Sequence, residues 1–165
     1  MLHNFVLIGS FFLDGMATAA EQLCGRAVGA RDRAAFVHAT RLTLGWGTGF
    51  AVASTVLFLV GGSALIDLMT TSTQVRSGAR EFMLFAALAP IMGVLAYTFD
   101  GIYIGATWAR DMRNLMLIAF ALYLATWWAL TGYGNAGLWV AILVFLAARG
   151  LLQALRYPAL LRATF

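Results

Sequence analysis

Five long apolar stretches constrain this chain more than any other feature. Each is about 18–25 residues long, the length at which an α-helix crosses the hydrocarbon core of a bilayer. Hydrophobic residues make up 62% of the 165 residues and charged residues 11%, whereas a soluble domain carries about twice that charged fraction. We therefore predict an all-α, polytopic membrane bundle that forms one domain over residues 1–165. The five predicted transmembrane helices lie near residues 4–26, 42–65, 82–106, 115–132 and 136–156.

The basic residues, all eleven of them arginines, indicate how the chain crosses the membrane. They concentrate in the links 27–41 and 107–114 and in the tail, which carries Arg156 and Arg162, whereas the link 66–81 is mixed in sign and the link 131–135 is uncharged. Arginine-rich loops stay on the cytoplasmic side. We therefore predict an external amino terminus and a cytoplasmic carboxyl terminus. Lipid is an expected partner and nucleic acid is not, because no continuous basic face with interleaved aromatic residues is present.

Two acids, Asp14 and Glu21, interrupt the first apolar stretch. Their spacing of seven residues is almost two helical turns, so both point to the same side, together with Thr18 and Gly25. Ionisable groups inside a membrane are costly unless they face a cavity or a partner, and a desolvated carboxyl can carry protons reversibly. We predict that both acids take part in coupling a cation or proton to transport. The alternative is a structural bond, for example between Glu21 and Arg26, which lies near the inner interface as an anchor or ion-pair partner.

A third intramembrane acid, Asp100, follows Tyr97 by one helical turn, and both come after Pro90 in the third stretch. A carboxylate, a phenol and carbonyls released by a proline are oxygen ligands suited to a hard cation or a proton. We therefore add Asp100 and Tyr97 to the predicted coupling residues, with a helix-packing hydrogen bond as the alternative. Arg149 lies in the middle of the last stretch, and we predict that it forms a structural ion pair with one of the acids.

Other residue types argue against metal binding and catalysis. Cys24 is the one cysteine, and we expect it to be a small packed side chain. His3 and His38 are expected near opposite faces of the membrane, where they cannot pair. The sequence has no catalytic or phosphate-binding motif of the common kinds, so we expect no enzyme activity, metal or cofactor. Three Gly-xxx-Gly pairs predict close helix contacts: Gly25 with Gly29, Gly45 with Gly49, and Gly101 with Gly105.

Two segments carry a resemblance to a known family. LDGMATAAEQLCGRAVGARDRAAF, over residues 13–36, resembles the signature of the DinF-like branch of the multidrug and toxic compound extrusion (MATE) transporters. YTFDGIYIGATWARDMRN, within residues 96–114, is similar to the tenth helix of that family and the loop after it. The five predicted spans then resemble helices 8–12 of a twelve-helix transporter.

The resemblance implies a secondary antiporter that exports amphipathic, often cationic compounds by rocking two six-helix lobes against each other. Protons or sodium ions would drive it, and the bacterial inner (plasma) membrane is the expected location. Asp100 matches the acid of the family's tenth helix, which in several members helps to form a cation site, and Asp14 and Glu21 match the branch's own eighth-helix acids. The amino-terminal lobe and the seventh helix have no counterpart here, so we expect them to be supplied by a longer protein or by a second polypeptide.

Two other functions remain open at this stage. A lipid-linked-substrate flippase of the same superfamily would use an arginine-lined cavity for phosphates, whereas three acids against Arg149 favour a cationic cargo. A non-transporting subunit or remnant would use the same acids only to hold helices together. The odd number of spans after an exported start fits this reading as well as a piece of a larger transporter.

Overall fold

The computed structural model describes residues 2–69 and 73–165, and it confirms the predicted all-α fold. Its five α-helices are α1 (Leu2–Gly29), α2 (Arg33–Met69), α3 (Thr73–Gly105), α4 (Ala109–Ala129) and α5 (Gly134–Thr164), with a short 3₁₀ helix at Thr131–Tyr133 before α5. Side chains are described from residue 11 onward, with gaps at 65, 68–75 and 77, so the side chain of His3 lies outside the described residues.

The helices extend beyond the predicted spans, most of all at the links. The basic link 27–41 is largely helical, because α1 continues to Gly29 and α2 begins at Arg33. Among the described residues, four helical segments are long and apolar enough to cross a membrane: 33–64, 78–105, 109–129 and 131–164. The described part of α1 instead carries three charged residues, so its crossing stays a prediction from the sequence.

Helix α3 is the centre of the bundle, and it packs against α1, α2 and α5, while α4 packs mainly on α5. Pro90 lies inside α3, which is helical on both sides of it. Near the end of α2 and the start of α3, the Asp67 carboxylate accepts hydrogen bonds from Arg80 at 2.8 and 2.9 Å. Arg76 lies 3.4 Å from the same carboxylate. The mixed charges of the link 66–81 thus join the two helices.

Glycines bring α1 and α3 together, as predicted for one of the three pairs. A Cβ atom on Gly101 would collide with the backbone of Ala17, and one on Gly105 would collide with the carbonyl of Glu21. A Cβ on Gly25 would lie 3.4 Å from the Gly105 oxygen. These contacts leave no room for a side chain at either α3 glycine, so the two backbones touch.

The predicted contacts of three further glycines do not form among the described residues. Gly29, Gly45 and Gly49 have open space where a Cβ would lie. Helix α2 approaches α3 through Gly47 instead, where a Cβ would be 3.1 Å from the Thr98 hydroxyl. The Gly-xxx-Gly spacing selected Gly45 and Gly49, whereas α2 contacts α3 through Gly47, which lies two residues from each of them. Sequence spacing alone does not say which face of a helix contacts its neighbour.

An aromatic cluster closes one end of the bundle. The ring of Phe36 at the start of α2 packs against Trp108 with centroids 5.7 Å apart and against Tyr157 of α5 at 6.4 Å. The Trp108 indole N–H also donates to the Thr164 hydroxyl at 3.0 Å. The α1–α2 turn, the α3–α4 turn and the end of α5 therefore lie together, as expected if the three arginine-rich segments share one side of the membrane.

Helices α1 and α3 end in the same kind of turn. The N–H of Asp32 donates to the carbonyl of Ala27 and that of Trp108 to the carbonyl of Tyr103, both at 2.9 Å. Each outer bond encloses an inner one, from the Arg31 N–H to the Val28 carbonyl and from the Thr107 N–H to the Ile104 carbonyl, so both turns are Schellman motifs. The left-handed position of the motif is held by Arg31 (φ 53°) in one turn and by Thr107 (φ 60°) in the other, where glycine is usual.

Candidate functional site

An ion pair between α3 and α5 is the most enclosed polar feature of the predicted site. The carboxylate of Asp100 contacts the guanidinium of Arg149, and their side chains are 13% and 16% exposed. Gln153, which is 1% exposed, donates from Nε2 to the other carboxylate oxygen at 2.8 Å. The negative charge of Asp100 is therefore neutralised and held from two sides.

The local sequence explains how these groups meet. Arg149 and Gln153 are one helical turn apart on α5, so they point to the same side. Gly150 lies between them, and a Cβ there would come within 2.6 Å of the Cβ of Leu95 on α3. This close approach brings both polar side chains within reach of Asp100. The hydroxyl of Tyr103 then donates to the Gln153 carbonyl at 2.8 Å and adds a second link between the two helices.

Polar atoms remain unsatisfied around this ion pair. Within the described part of the chain, Arg149 Nε and Gln153 Oε1 are buried and have no hydrogen-bond partner. A buried donor and acceptor left unpaired cost free energy. The site therefore retains hydrogen-bonding capacity beyond the contacts to Asp100.

Tyr97 lies on the same side of α3 as Asp100 and is partly buried. Its ring packs beside Gly93, where a Cβ would lie 3.1 Å from the ring. Tyr97 therefore lies one helical turn before the ion pair of Asp100 and Arg149, as its spacing in the sequence predicts.

Asp14 and Glu21 lie in different surroundings. Both side chains are exposed on α1, as is Thr18 between them, whose hydroxyl donates to the Asp14 carbonyl at 2.9 Å. Among the described residues neither carboxylate forms an ion pair. The predicted stripe is therefore present for these three residues, while Gly25 turns towards α3.

Asp14 nevertheless lies at nearly the same depth as Asp100. Ala17 meets Gly101 and Gly25 meets Gly105, so α1 and α3 run in the same direction. Asp14 lies three residues before Ala17, and Asp100 lies one residue before Gly101. At 1.5 Å per residue, the two acids therefore differ in depth by about 3 Å. They share a level in the bundle but face different surroundings, and no group of three His, Cys, Asp or Glu among the described residues is close enough to hold a metal ion.

Arg26 was predicted to be an interface anchor or an ion-pair partner, and the described residues show no ion pair for it. Its exposed side chain lines a cavity of about 430 Å³ between α1 and α2, together with His38. Of the two arginines predicted to form structural ion pairs, the structure pairs Arg149 and leaves Arg26 at an open surface.

Sequence reasoning did not identify Gln153 or Tyr103 as part of the site. Both could have been found from helical spacing, since Gln153 follows Arg149 by four residues and Tyr103 follows Asp100 by three. A glutamine inside an apolar stretch is itself a signal, because its amide needs partners when buried.

Comparison with known proteins supplies a family. The MatE family model matches residues 2–128. The chain is similar to DNA damage-inducible protein F of Escherichia coli (strain K12), with 36% identity over 92% of this chain and 33% of that protein. It is also similar to the chloroplastic proteins DETOXIFICATION 45 and DETOXIFICATION 44 of Arabidopsis thaliana, at 25% and 29% identity, each over 85% of this chain and covering 25% and 27% of those proteins. No solved structure gave a significant match. The chain thus spans between a quarter and a third of the length of these relatives.

Proposed function

The chain belongs to the MatE family of membrane transporters, and we propose that it forms the greater part of one lobe of a secondary multidrug antiporter. In this proposal the transporter exports amphipathic or cationic compounds in exchange for protons or sodium ions. It lies in the bacterial inner membrane with the end of α5 in the cytoplasm. An amino-terminal lobe, in the same protein or in a second polypeptide, completes it.

The exposed acids of α1 are the observation that carries this proposal. Asp14 and Glu21 lie on the outer surface of the described bundle, without an ion-pair partner there. An acidic side chain at the centre of a bilayer costs about 2.5–3.5 kcal/mol on insertion scales, and such residues almost always face the bundle interior or a water-filled cavity. This face of α1 therefore needs water or further protein against it. A central cavity shared with a second lobe supplies both.

The surroundings of the acids divide their roles. Asp14 and Glu21 are free to gain or lose a cation without breaking a contact in the described chain, so we assign them the primary coupling role. Asp100, with Tyr97 beside it, can bind a cation only when the Arg149 guanidinium moves away from its carboxylate. We therefore propose that Asp100 responds to a change in the packing of α5 on α3.

The test uses a complete transporter. The matching segment of the Escherichia coli relative is replaced by this chain, and ethidium efflux is measured in cells together with the amount of protein in the membrane. We expect Asp14→Asn and Glu21→Gln each to reduce proton- or sodium-driven efflux at least tenfold, because an amide can neither take up a proton reversibly nor balance the charge of a bound cation. Their membrane levels should be unchanged.

Glu81→Gln is the matched control, because Glu81 is also exposed but lies near the start of α3, outside the α1 stripe. It should leave efflux at the parental level. Unchanged ethidium export in both α1 variants would refute the coupling role, and an inactive parental chimera with normal membrane levels would count against the transporter assignment itself.

A further inference from the structure

Three neighbouring cavities lie along the exposed side of α2 near its start, away from Asp14 and Glu21, and the first of them also borders α1. The first, of about 430 Å³, lies between the end of α1 and the start of α2 and includes Arg26, His38 and Leu42. The second, of about 630 Å³, is lined by Arg33, His38 and Arg41. The third, of about 270 Å³, is lined by Arg41, Leu42 and Trp46 among others. Because neighbouring cavities share His38, Arg41 and Leu42, they form one continuous surface, which we call the α2 groove.

One end of the α2 groove is basic. Arg26, Arg33 and Arg41 are all exposed, and none forms an ion pair among the described residues. One acid, Asp32, lies in the lining, and its carboxylate accepts the Ala35 N–H at 2.9 Å and caps α2. Three arginines against this single carboxylate leave the basic end with a net positive charge.

The other end of the α2 groove is apolar and aromatic. Leu42 is 45% exposed and Trp46 60% exposed. Beyond them, Phe50 lies with its ring centroid 6.3 Å from that of Trp46 and 6.1 Å from that of Phe12 on α1. The change from arginine to aromatic side chains takes place over five residue steps, from Arg41 to Trp46, which is about 7.5 Å along a helix.

We propose that the α2 groove binds one anionic phospholipid. Its phosphate would contact the basic side chains of Arg33, His38 and Arg41, with Arg26 nearby, and an acyl chain would lie along Leu42 and Trp46. A phospholipid changes from anionic to apolar over a similar short distance, and arginine is well suited to bind phosphate oxygens. A free anion would use only the basic end and would leave the aromatic end exposed. The proposal does not depend on the coupling role of the α1 acids.

The test measures lipid preference at Trp46. The full chain is reconstituted in vesicles of phosphatidylglycerol and phosphatidylcholine with matched acyl chains, and bromine atoms are placed on the chains of one lipid at a time to quench tryptophan fluorescence. Subtracting the signal of Trp46→Phe isolates the groove. We expect phosphatidylglycerol to be preferred at least fivefold, since a basic residue near an anionic headgroup contributes about that factor.

Charge variants then locate the headgroup. Arg33→Gln with Arg41→Gln should abolish the preference, and Arg33→Lys with Arg41→Lys should retain most of it. The matched control is Arg110→Gln with Arg113→Gln, which removes the same charge from two exposed arginines at the α3–α4 turn, outside the groove. This control should keep the preference at Trp46.

Three results would overturn the proposal. An equal loss of preference in the control pair would show a general effect of surface charge. Removal of the preference by millimolar glycerol phosphate would show that a soluble phosphate occupies the basic end. Equal quenching by both brominated lipids in the parental chain, with helix content unchanged by circular dichroism, would show that the groove does not select lipid and is available to another protein segment.

Discussion

Helices α1 and α3 are built alike, and yet their acids lie in opposite surroundings. The two helices run in the same direction, touch at glycine contacts and end in the same Schellman turn. At nearly the same depth, Asp14 is exposed on α1, whereas Asp100 on α3 is enclosed. The difference arises from α5, which packs along α3 and brings Arg149 to the carboxylate. The surroundings of each acid are thus decided by the helix that packs beside it.

This comparison has an energetic consequence. The ion pair between Asp100 and Arg149 adds little net stability, because both charged groups must leave water to form it. Removing one partner is costly, because the other charge then stays buried without a counterion. Asp14 has no such partner to lose in the described part of the chain. Substitutions at the two sites should therefore differ sharply in their effect on folding, although both sites hold an aspartate at a similar depth.

Removing the Arg149 guanidinium should give the largest effect. We expect Arg149→Met to lower the free energy of unfolding by about 3–5 kcal/mol, because Asp100 is then left buried without its counterion. Thermal unfolding in detergent micelles, followed by tryptophan fluorescence, measures the change. Asp14→Asn is the matched change on α1 and should shift stability by less than about 0.5 kcal/mol.

The double variant sharpens this result. Asp100→Asn combined with Arg149→Met removes both charges, and it should recover most of the stability lost in Arg149→Met alone. If Asp14→Asn destabilised the chain as much as Arg149→Met, or if the double variant showed no recovery, the contrast between the two acids would be wrong.

The contact between α1 and α3 gives the next largest effect. Gly101→Ala places a Cβ against the backbone of Ala17, which cannot move as a flexible side chain would. We expect a loss of about 3 kcal/mol, at the upper end of the range for overpacking. The same micelle assay measures it.

Gly49→Ala on α2 is the control for this change, because the space around Gly49 is open. It should be neutral or slightly stabilising, since alanine favours a helix over glycine by about 1 kcal/mol. Equal losses in both variants would mean that α1 and α3 do not meet at Gly101.

The contrast also shows what the sequence could and could not predict. Hydropathy and helical length predict the helices, because each must satisfy its own backbone in the membrane. The spacing of Asp14, Thr18 and Glu21 predicts their shared side, and that of Gly101 and Gly105 predicts a close contact. Each of these is a property of one helix.

Contacts between distant helices were less predictable. Arg149 was expected to pair with one of the acids, but its choice of Asp100 depends on how α5 rests on α3 through Gly150. Similarly, α2 contacts α3 through Gly47 and not through Gly45 or Gly49, because the rotation of a helix about its axis is set by the helices packed against it. The helix ends were also underestimated, because arginines that mark a link by charge are compatible with the first turns of a helix.

The smallest predicted effect concerns the two turns, where the likeness between α1 and α3 is closest. Thr107 and Arg31 both occupy a left-handed conformation that favours glycine, and the β-branched threonine is the more strained of the two. We expect Thr107→Gly to raise the free energy of unfolding by about 1 kcal/mol and Arg31→Gly by about 0.5 kcal/mol, after the entropy cost of glycine is included.

Ala30→Gly serves as control, because Ala30 is not among the described residues with positive φ. It should lower the free energy of unfolding by about 0.5 kcal/mol or more. A gain in the control, or a loss in both turn variants, would show that the two helices do not end in the same way, and the comparison between them would then rest on the glycine contacts alone.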